Sequence, residues 1–503
     1  MKTGHYGSTY GQVVAPPLSL NELERTNEDT ARWGRYRRYL DFYEGEQWAE
    51  RAVPGDRRYV VNYSRLFVQK MASYLLGKGY QTEVVPNKAG KTAESRSQEI
   101  EELLAEVADD NALDLLDYDS AINAAIMGDA GWKITLQPLG MGGMSFYPQR
   151  VGRPARAGRI VVRAVDMGGL RARFRGDDLR QPLWVSQEYA LSLTEAQEFF
   201  GKGVRAFEKG KTFGFASVEK LVQIREEWTD TRFCIYLNGE SEPYFDRSNP
   251  YGFIPYVLFP NLRRPRQNWG DSDLIDLMPV QSELNTRFST IGQILHYSGN
   301  PVLILENVEA TEQPMRIGAG AVWTLPENSR AYLLELLKEG QLQTHIDYIQ
   351  LLYQVMHDLS EMPRVAFGRD LGGGTPSSGV ALDILLQPIM QKVLRKRAIW
   401  EEALYRRNLM VQKLAGIGQV HRTRTMWQDP LPKDRQALVA NEIALVGSGI
   451  HSRKTAARNL GDEQPALAVM EAFEELRQLS QTGKPVTGRA SGLEIQAIAN
   501  AGN

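Results

Sequence analysis

The sequence predicts an α+β fold, with helices first, a strand-rich middle and helices again. Three observations carry this. Apolar residues recur at helical spacing over 20–45, 62–76, 95–108 and 119–127. Between 131 and 259 the pattern changes to short runs rich in β-branched and aromatic residues, punctuated by Gly, Pro and Asn. From 270 the helical spacing returns.

Residues 1–19 are small and polar, contain Pro16-Pro17, and read as a disordered arm. Leu20, Leu23, Tyr36, Tyr39, Leu40 and Tyr43 mark the first helix. The second, from Asn62 to Leu76, ends at Gly77, a natural C-terminal cap. Ile100, Leu103, Leu104 and Val107 follow the i, i+3, i+4, i+7 rule, and another helix covers Asp119 to Met127. The strand candidates are WKITLQP, RIVVRAV, LWVSQEYAL, FCIYL and FIPYVLF, with a hairpin turn at LNGE, 237–240.

The stretch 270–299 reads as a helix with Asp271 and Ser272 as N-cap candidates and acidic Asp273 and Asp276 suited to the helix N-terminus. Leu274, Leu277, Leu284, Phe288, Ile291 and Leu295 form its seam. Residues 301–337 hold two β-like runs, VLIL and AVWTL, around a loop with Pro314 and Gly318. Leu342, Ile346, Ile349, Tyr353, Met356 and Leu359 define a second seam over 341–360. A third helix, Ser378 to Ala415, would be roughly 55 Å long at 1.5 Å per residue. Pro388 should kink it, since a mid-helix proline loses a hydrogen bond and crowds the previous turn. After a strand-like HRTRTMW come two or three helices, one of them at 450–461 with Ser452 as N-cap and Gly461 as stop. The tail from Thr482 is rich in Gly, Ser, Asn and Ala and reads as loosely held.

Length and composition exclude several classes. The 503 residues, 42% apolar and 24% charged, suffice for two to four ordinary globular domains. The single cysteine, Cys234, forms no internal disulfide and no cysteine metal cluster, which fits a reducing or intracellular assembly environment. MKTGHYGSTYGQVV lacks the apolar run of a signal peptide, and no stretch approaches the ~18 apolar residues of a membrane span. A net charge of −2 argues against tight gripping of phosphates but is compatible with DNA that passes by.

No catalytic or metal motif emerges. The glycine run GGGTPSSG lacks the lysine of a nucleotide-binding loop and follows a helix and Pro363 rather than a strand. His5, His296, His345, His357, His421 and His451 show no metal-ligand spacing, and His345 and His357 lie about three helical turns apart. Glu101-Glu102, Asp109-Asp110 and Glu401-Glu402 read as solvated helix faces, and no Gly-x-Ser-x-Gly elbow is present. The arginines at 150, 153, 156, 159, 163, 171, 173, 175 and 180 suggest a nucleic-acid surface or, the favoured reading, a surface salt-bridged to acidic neighbours or another subunit. No interleaved aromatic platform accompanies them.

The order of four stretches resembles the portal proteins of tailed bacteriophages over roughly residues 30–475. YEGEQW (43–48) precedes NYSRLFVQKMASYLLGKGY (62–80); NPYGFIPYVLFPN (249–261) leads into GDSDLIDLMPVQSELNTRFS (270–289). SEMPRVAFG (360–368) and SSGVAL (377–382) bracket the glycine loop, and WQDPLPKD (427–434) precedes GIHSRKTAARNLG (449–461). The resemblance implies a twelve-fold homo-oligomeric ring at a capsid vertex, found in the virion and, during assembly, in the host cytoplasm. Double-stranded DNA is packaged and later ejected through its channel. The implied partners are the terminase large subunit, major capsid and scaffolding proteins, and a head-completion or tail adaptor protein. No membrane, cofactor, metal or catalytic activity is implied.

By position, the resemblance makes 20–269 the first part of an α+β wing and 270–300 and 339–362 two stem helices around a small β-containing clip at 301–338. A tunnel loop would occupy 363–377, with the long kinked helix and the rest of the wing at 378–432, a helical crown at 433–480 and a flexible tail at 481–503. The DNA-facing loop residues would be Arg364, Arg369, Asp370, Gly372, Gly373, Gly374 and Thr375, whose glycines leave the backbone adaptable. Gln281, Asn285, Thr286, Gln293 and His296 are candidates to line the channel in the stem, and Arg316, Trp323 and Arg330 to meet partners at the clip. Two other classes are kept: a nucleic-acid-binding module using 149–180, and an enzyme whose site the motifs do not reveal.

Overall fold

A computed structural model describes residues 20–48, 57–87, 90–138, 158–176, 178–206, 221–299, 303–307, 327–333, 341–368, 379–430, 435–460, 469–474 and 477. The chain divides into two compact units, Met1–Pro430 and Leu431–Asn503.

The first unit is α+β. It opens with helix α1 (Leu20–Glu44), α2 (Tyr63–Leu76), β1 (Tyr80–Val85), α3 (Lys91–Asp110) and α4 (Leu113–Met127). Strands β2 (Asp129–Pro138), β3 (Gly158–Ala164), β4 (Leu170–Arg175) and β5 (Asp178–Ser192) follow. A short helix α5 (Leu193–Phe200) then precedes β6 (Leu221–Trp228), β7 (Arg232–Leu237), β8 (Phe245–Ser248) and β9 (Tyr256–Pro260). Helices α6 (Leu277–Gly299) and α7 (Gln341–Ser360) enclose β10 (Leu303–Glu306) and β11 (Arg330–Leu333). Helix α8 (Gly379–Leu414) and β12 (Arg422–Trp427) complete the unit. The second unit contains α9 (Arg435–Gly447) and α10 (Arg453–Asn459).

All the strand pairs are antiparallel: a sheet of order β3-β2-β9, one of order β4-β5-β6-β7-β8, and the pairs β1-β12 and β10-β11. The two larger sheets meet through a buried polar cluster. Lys133 on β2 pairs with Glu226 on β6, which also accepts from Tyr189 Oη at 2.6 Å and Trp228 Nε1 at 3.1 Å. Tyr256 on β9 donates to Gln187 on β5 at 2.9 Å. Burying a carboxylate is costly unless it is paired and hydrogen-bonded, and here it is both. On the far side of the smaller sheet, the ring of Trp132 lies 4.6 Å from that of Phe259 and 5.5 Å from that of Trp400 on α8.

Local signals explain many boundaries. Asn62 accepts from Arg65 N at 3.1 Å at the start of α2, and Gly77 ends it with φ of +57°. Ser192 and Glu195 form a reciprocal capping box that starts α5, a helix the strand-rich reading of this region passes over. Asn238 and Gly239 take positive φ after β7, as a turn at LNGE requires, and the connection runs on to β8 at Phe245. Strands β4 and β6 were not among the strand candidates. Their sequences, LRARFR and LVQIREEW, carry charges that the fold buries: Arg171, Arg225, Glu226 and Glu227. Helix α4 starts at Leu113, earlier than Asp119. The strand pairing with β10 is Arg330–Leu333; AVWTL lies outside the described residues.

Helix α8 is continuous through Pro388 over about 54 Å. The proline lies on the exposed side, where water can serve the carbonyl of Ile384 that it leaves unpaired. Farther along, Arg407 reaches the hub of the unit. It donates to Asp117 Oδ1 at 2.6 Å and to Tyr80 Oη at 2.7 Å, and lies 4.5 Å from the Trp132 ring centroid. One guanidinium thus joins α8, α4, β1 and β2. Replacing Asp117→Asn should cost roughly 3–5 kcal/mol, because it strands a buried cation. Asp117→Leu combined with Arg407→Met should recover a large part of that loss. Urea midpoints of the three proteins check it.

Candidate functional site

A buried polar cluster joins four places: the residues just before α6, the end of α7, the middle of α8 and the residue just after β9. Residues 270–276 do not begin the helix, contrary to the expectation from Asp271 and Ser272. Ser272 Oγ instead donates to Ala125 O at 3.1 Å and accepts from Leu274 N at 3.0 Å. Helix α6 starts at Leu277. Gly128 makes the approach possible: with φ of +94°, an added Cβ would lie 2.9 Å from Gly270 O and Asp271 C.

Asp273 is not a dipole-stabilising surface residue. Its side chain is buried and pairs with Lys396 Nζ at 2.5 Å and Lys392 Nζ at 3.2 Å, both from α8. Lys396 also donates to Asn261 Oδ1 at 2.6 Å, just past β9, and Lys392 to Ser360 O at 3.1 Å, the last residue of α7. One carboxylate and two ammoniums therefore fix the start of α6 and the end of α7 to the same turn of α8. Glu283 on α6 accepts from Tyr348 Oη on α7 at 3.5 Å, so α6 and α7 run antiparallel. Burial would raise the Asp273 pKa, but the charges of Lys392 and Lys396 outweigh it and hold it at about 2. Burial lowers Lys396 to about 8; Asp273 opposes that fall and Lys392 reinforces it. Both values fall: the carboxyl's because two cations outweigh its burial, the ammonium's because burial and Lys392 outweigh one anion.

The stem-lining expectation fails for two residues. Gln281 and Asn285 are 0% and 1% exposed. With Ser289 they form a stripe at i, i+4 and i+8 that hydrogen-bonds residues 59–61 and the first turn of α2. Ser289 Oγ accepts from Tyr59 N at 3.0 Å, Asn285 Oδ1 from Val61 N at 3.0 Å, and Gln281 Oε1 from Ser64 N at 3.2 Å. Gln281 Nε2 donates to Val61 O at 2.7 Å, and Asn285 Nδ2 to Gln47 Oε1 at 2.6 Å. The helix thus offers side-chain amides where a sheet would offer a strand edge. Gly292, one turn on, leaves room for the Tyr59 ring, 2.6 Å from where a Cβ would stand. Gln293 is half-buried, and Thr286 and His296 are exposed.

The turn entering the glycine loop is clamped on both sides. His357 Nδ1 lies 2.7 Å from Met362 O, and its ring meets Phe67, Tyr353 and Phe367 edge-on at 4.6–5.3 Å. Glu361 accepts from Arg395 Nη2 with both oxygens, at 2.6 and 2.8 Å. Arg364 is exposed on a single 3₁₀ turn, Arg364–Phe367, which ends at Gly368 with φ of +69°. Arg369, Asp370, Gly372, Gly373, Gly374 and Thr375 lie outside the described residues, as do Arg316 and Trp323. Arg330 is exposed on β11 opposite Glu306.

Several of the clustered arginines are engaged within the fold. Arg159 pairs with Asp110 at 3.2 Å, Arg173 with Asp29 at 2.9 Å and buried Arg171 with Glu188 at 4.0 Å. Those positions offer little to a polyanion. Arg150, Arg153 and Arg156 lie outside the described residues. Among the described residues no group of three or more His, Cys, Asp or Glu could hold a metal ion, and no helix is long and apolar enough to cross a membrane.

Residues 213–482, more than half of the chain, match the family model described as phage portal protein, SPP1 Gp6-like. The match takes in everything from β6 to the helices of the second unit, the Asp273 cluster included. No curated protein matches the chain.

The Asp273 cluster has a defined pH signature. The carboxyl is held below its ordinary value of 3.8, so it contributes stability above that pH and loses it as pH falls toward about 2. Asp273→Asn should destabilise the protein by roughly 3–5 kcal/mol at pH 7, leaving two buried ammoniums without their anion. The gap between wild type and variant should close as pH drops from 4 to 2. Urea unfolding across that range measures it; a constant gap would contradict the assignment.

Proposed function

Because the chain belongs to the SPP1 Gp6-like phage portal proteins, we propose that it assembles into a closed ring at one capsid vertex. The ring is the channel through which double-stranded DNA is packaged and later ejected. It docks the terminase motor during packaging and a head-completion or tail adaptor protein afterwards. Its assembly partners are the major capsid and scaffolding proteins. Twelve copies give about 680 kDa from chains of 56.6 kDa. The role is structural: the motor's chemistry belongs to the terminase.

The observation that best supports a ring is a second apolar stripe on α7. Ile349, Tyr353 and Met356 lie on the side toward α6 and α2, and Met356 is buried. A different line, Leu351, Val355 and Leu359, recurs every fourth residue, and Leu351 is 53% exposed. A helix needs one apolar stripe to pack in its own chain, and a second belongs to a neighbour. A surface that pairs with a different surface on the next copy closes into a ring when the rotation allows.

In this reading α6 and α7 are the stem, β10 and β11 part of the clip, and 363–377 the loop that meets DNA. Gln293, Thr286 and His296 stay candidates for the channel wall; Gln281 and Asn285 do not. The loop would track DNA because glycine permits many conformations, with Arg364, Arg369 and Asp370 giving it both charge signs. A wall that held each phosphate tightly would stall the duplex.

Native mass and class-averaged electron micrographs test the ring; a stable monomer under assembly conditions with capsid and scaffolding protein would overturn it. Leu351→Asp should shift the population from rings to monomers without unfolding the first unit, as circular dichroism would report. Deleting 372–374, or reversing charge by Arg369→Glu, should leave rings intact and lower packaged DNA at least several-fold. Wild-type packaging yield in both would remove the loop from the mechanism.

A further inference from the structure

The segment between β9 and α6 leaves a cavity of about 100 Å³ against the first helix, α1. Its wall carries Arg32, Arg35, Tyr36 and Tyr39 from α1, and Arg264 and Trp269 from that segment. The volume is well under the ~300 Å³ of sites for drug-sized ligands and suits a group of a few heavy atoms.

The basic groups here outnumber the acids that answer them. Asp29 serves both Arg32, at 3.1 Å, and Arg173, at 2.9 Å. Asp271 serves Arg264 through Nε at 3.3 Å. Arg35 and Arg38 are exposed, and neither makes an ion pair among the described residues. Arg35, Arg38 and Arg264 converge on one phenol: their charges all oppose the rise that burial imposes on the Tyr39 pKa. The remaining acid of the wall, Asp129, is already held by Tyr36 Oη and by Gly270 N, the latter at 2.8 Å. Arg32 is 1% exposed. It donates from Nη1 to Tyr36 Oη at 3.1 Å and from Nη2 to Leu170 O at 2.6 Å, and its guanidinium lies 3.8 Å from the centroid of the Trp269 ring. Its Nε–H is buried with no acceptor. A buried donor left unpaired costs free energy, so a ligand oxygen that accepts from it gains by that amount.

We propose that this cavity binds a phosphate group, held by Arg35, Arg264 and the Nε–H of Arg32. Three guanidiniums around one cavity match the oxygens of a tetrahedral oxyanion better than the two of a carboxylate. The pairing strengthens where part of the site lies out of water, as Arg32 and Tyr36 do. The bound group ties α1 to the turn that Asp273 anchors. The proposal does not depend on the ring reading. The phosphate is either a free ion or one borne by DNA, and the assay separates the two.

Isothermal titration of the full-length protein with inorganic phosphate, at constant ionic strength, tests this. The wild type should give saturable heat. Arg35→Gln and Arg264→Gln should each weaken binding about ten-fold, the effect of one charge-assisted hydrogen bond, with circular dichroism unchanged. Arg96→Gln on α3, which does not line the cavity, should bind as the wild type does. Phosphate should also raise the wild-type urea midpoint to a plateau, whereas general salt stabilisation grows without one. Heat that never saturates, or equal affinity in all four proteins, would overturn the proposal. Competition by a short DNA duplex upholds the site with nucleic acid as the source; no competition upholds it with the free ion.

Discussion

The buried carboxylate of Asp273 is the constraint on which the arrangement of the long helices depends. It meets Lys392 and Lys396, and those two lysines also hold Ser360 and Asn261. Three places in the chain, at Asn261, Asp273 and Ser360, are thereby fixed to one turn of α8. An isolated buried ion pair is weak evidence of stability, since desolvation offsets much of the attraction. Its value here is positional. An apolar contact tolerates sliding by an ångström or two, whereas a carboxylate between two ammoniums does not.

The amide stripe on α6 solves a related problem. The segment 59–62, which leads into α2, lies outside any helix or strand and has backbone groups to satisfy, yet it lies against a helix, whose own backbone is already paired. Gln281, Asn285 and Ser289 supply donors and acceptors at one-turn intervals. The N-terminal helices are thus registered on the same helix pair that Asp273 anchors. The Asp273 contacts hold the residues just before α6 and the polar stripe starts in its second turn, so the helix is held at its entry and along its length.

How much of this was legible in the residues depends on what the residues had to meet. Helices α2, α3, α7 and α8 declared themselves by apolar spacing, and α10 by Ser452. The strands with alternating apolar residues did so too. Strands β1, β4, β6 and β8 did not; in β4 and β6 the buried charges Arg171, Arg225, Glu226 and Glu227 stand among the apolar residues, and a charge in a sequence reads as solvent. Asp271, Ser272 and Asp273 looked like a helix start because short polar residues suit a cap. Ser272 found Ala125, Asp273 found the lysines of α8 and Asp271 pairs with Arg264 instead. Gln281 and Asn285 carried the right spacing for a polar stripe, but a stripe facing water and one facing a backbone are identical in sequence. The capping box at Ser192 and Glu195 was visible and marks a helix inside a strand-rich region.

Pro388 and Lys392 stand one turn apart on α8. The proline removes the backbone bond to Ile384, and the lysine fixes the helix to the cluster around Asp273. The helix therefore has a fulcrum. On one side lies a long arm locked by Lys396 and Arg407; on the other, a short arm, 379–387, that leads straight into the glycine loop. Bending of the helix is cheapest at the missing bond, and the polar anchors of α8 all lie on one side of it.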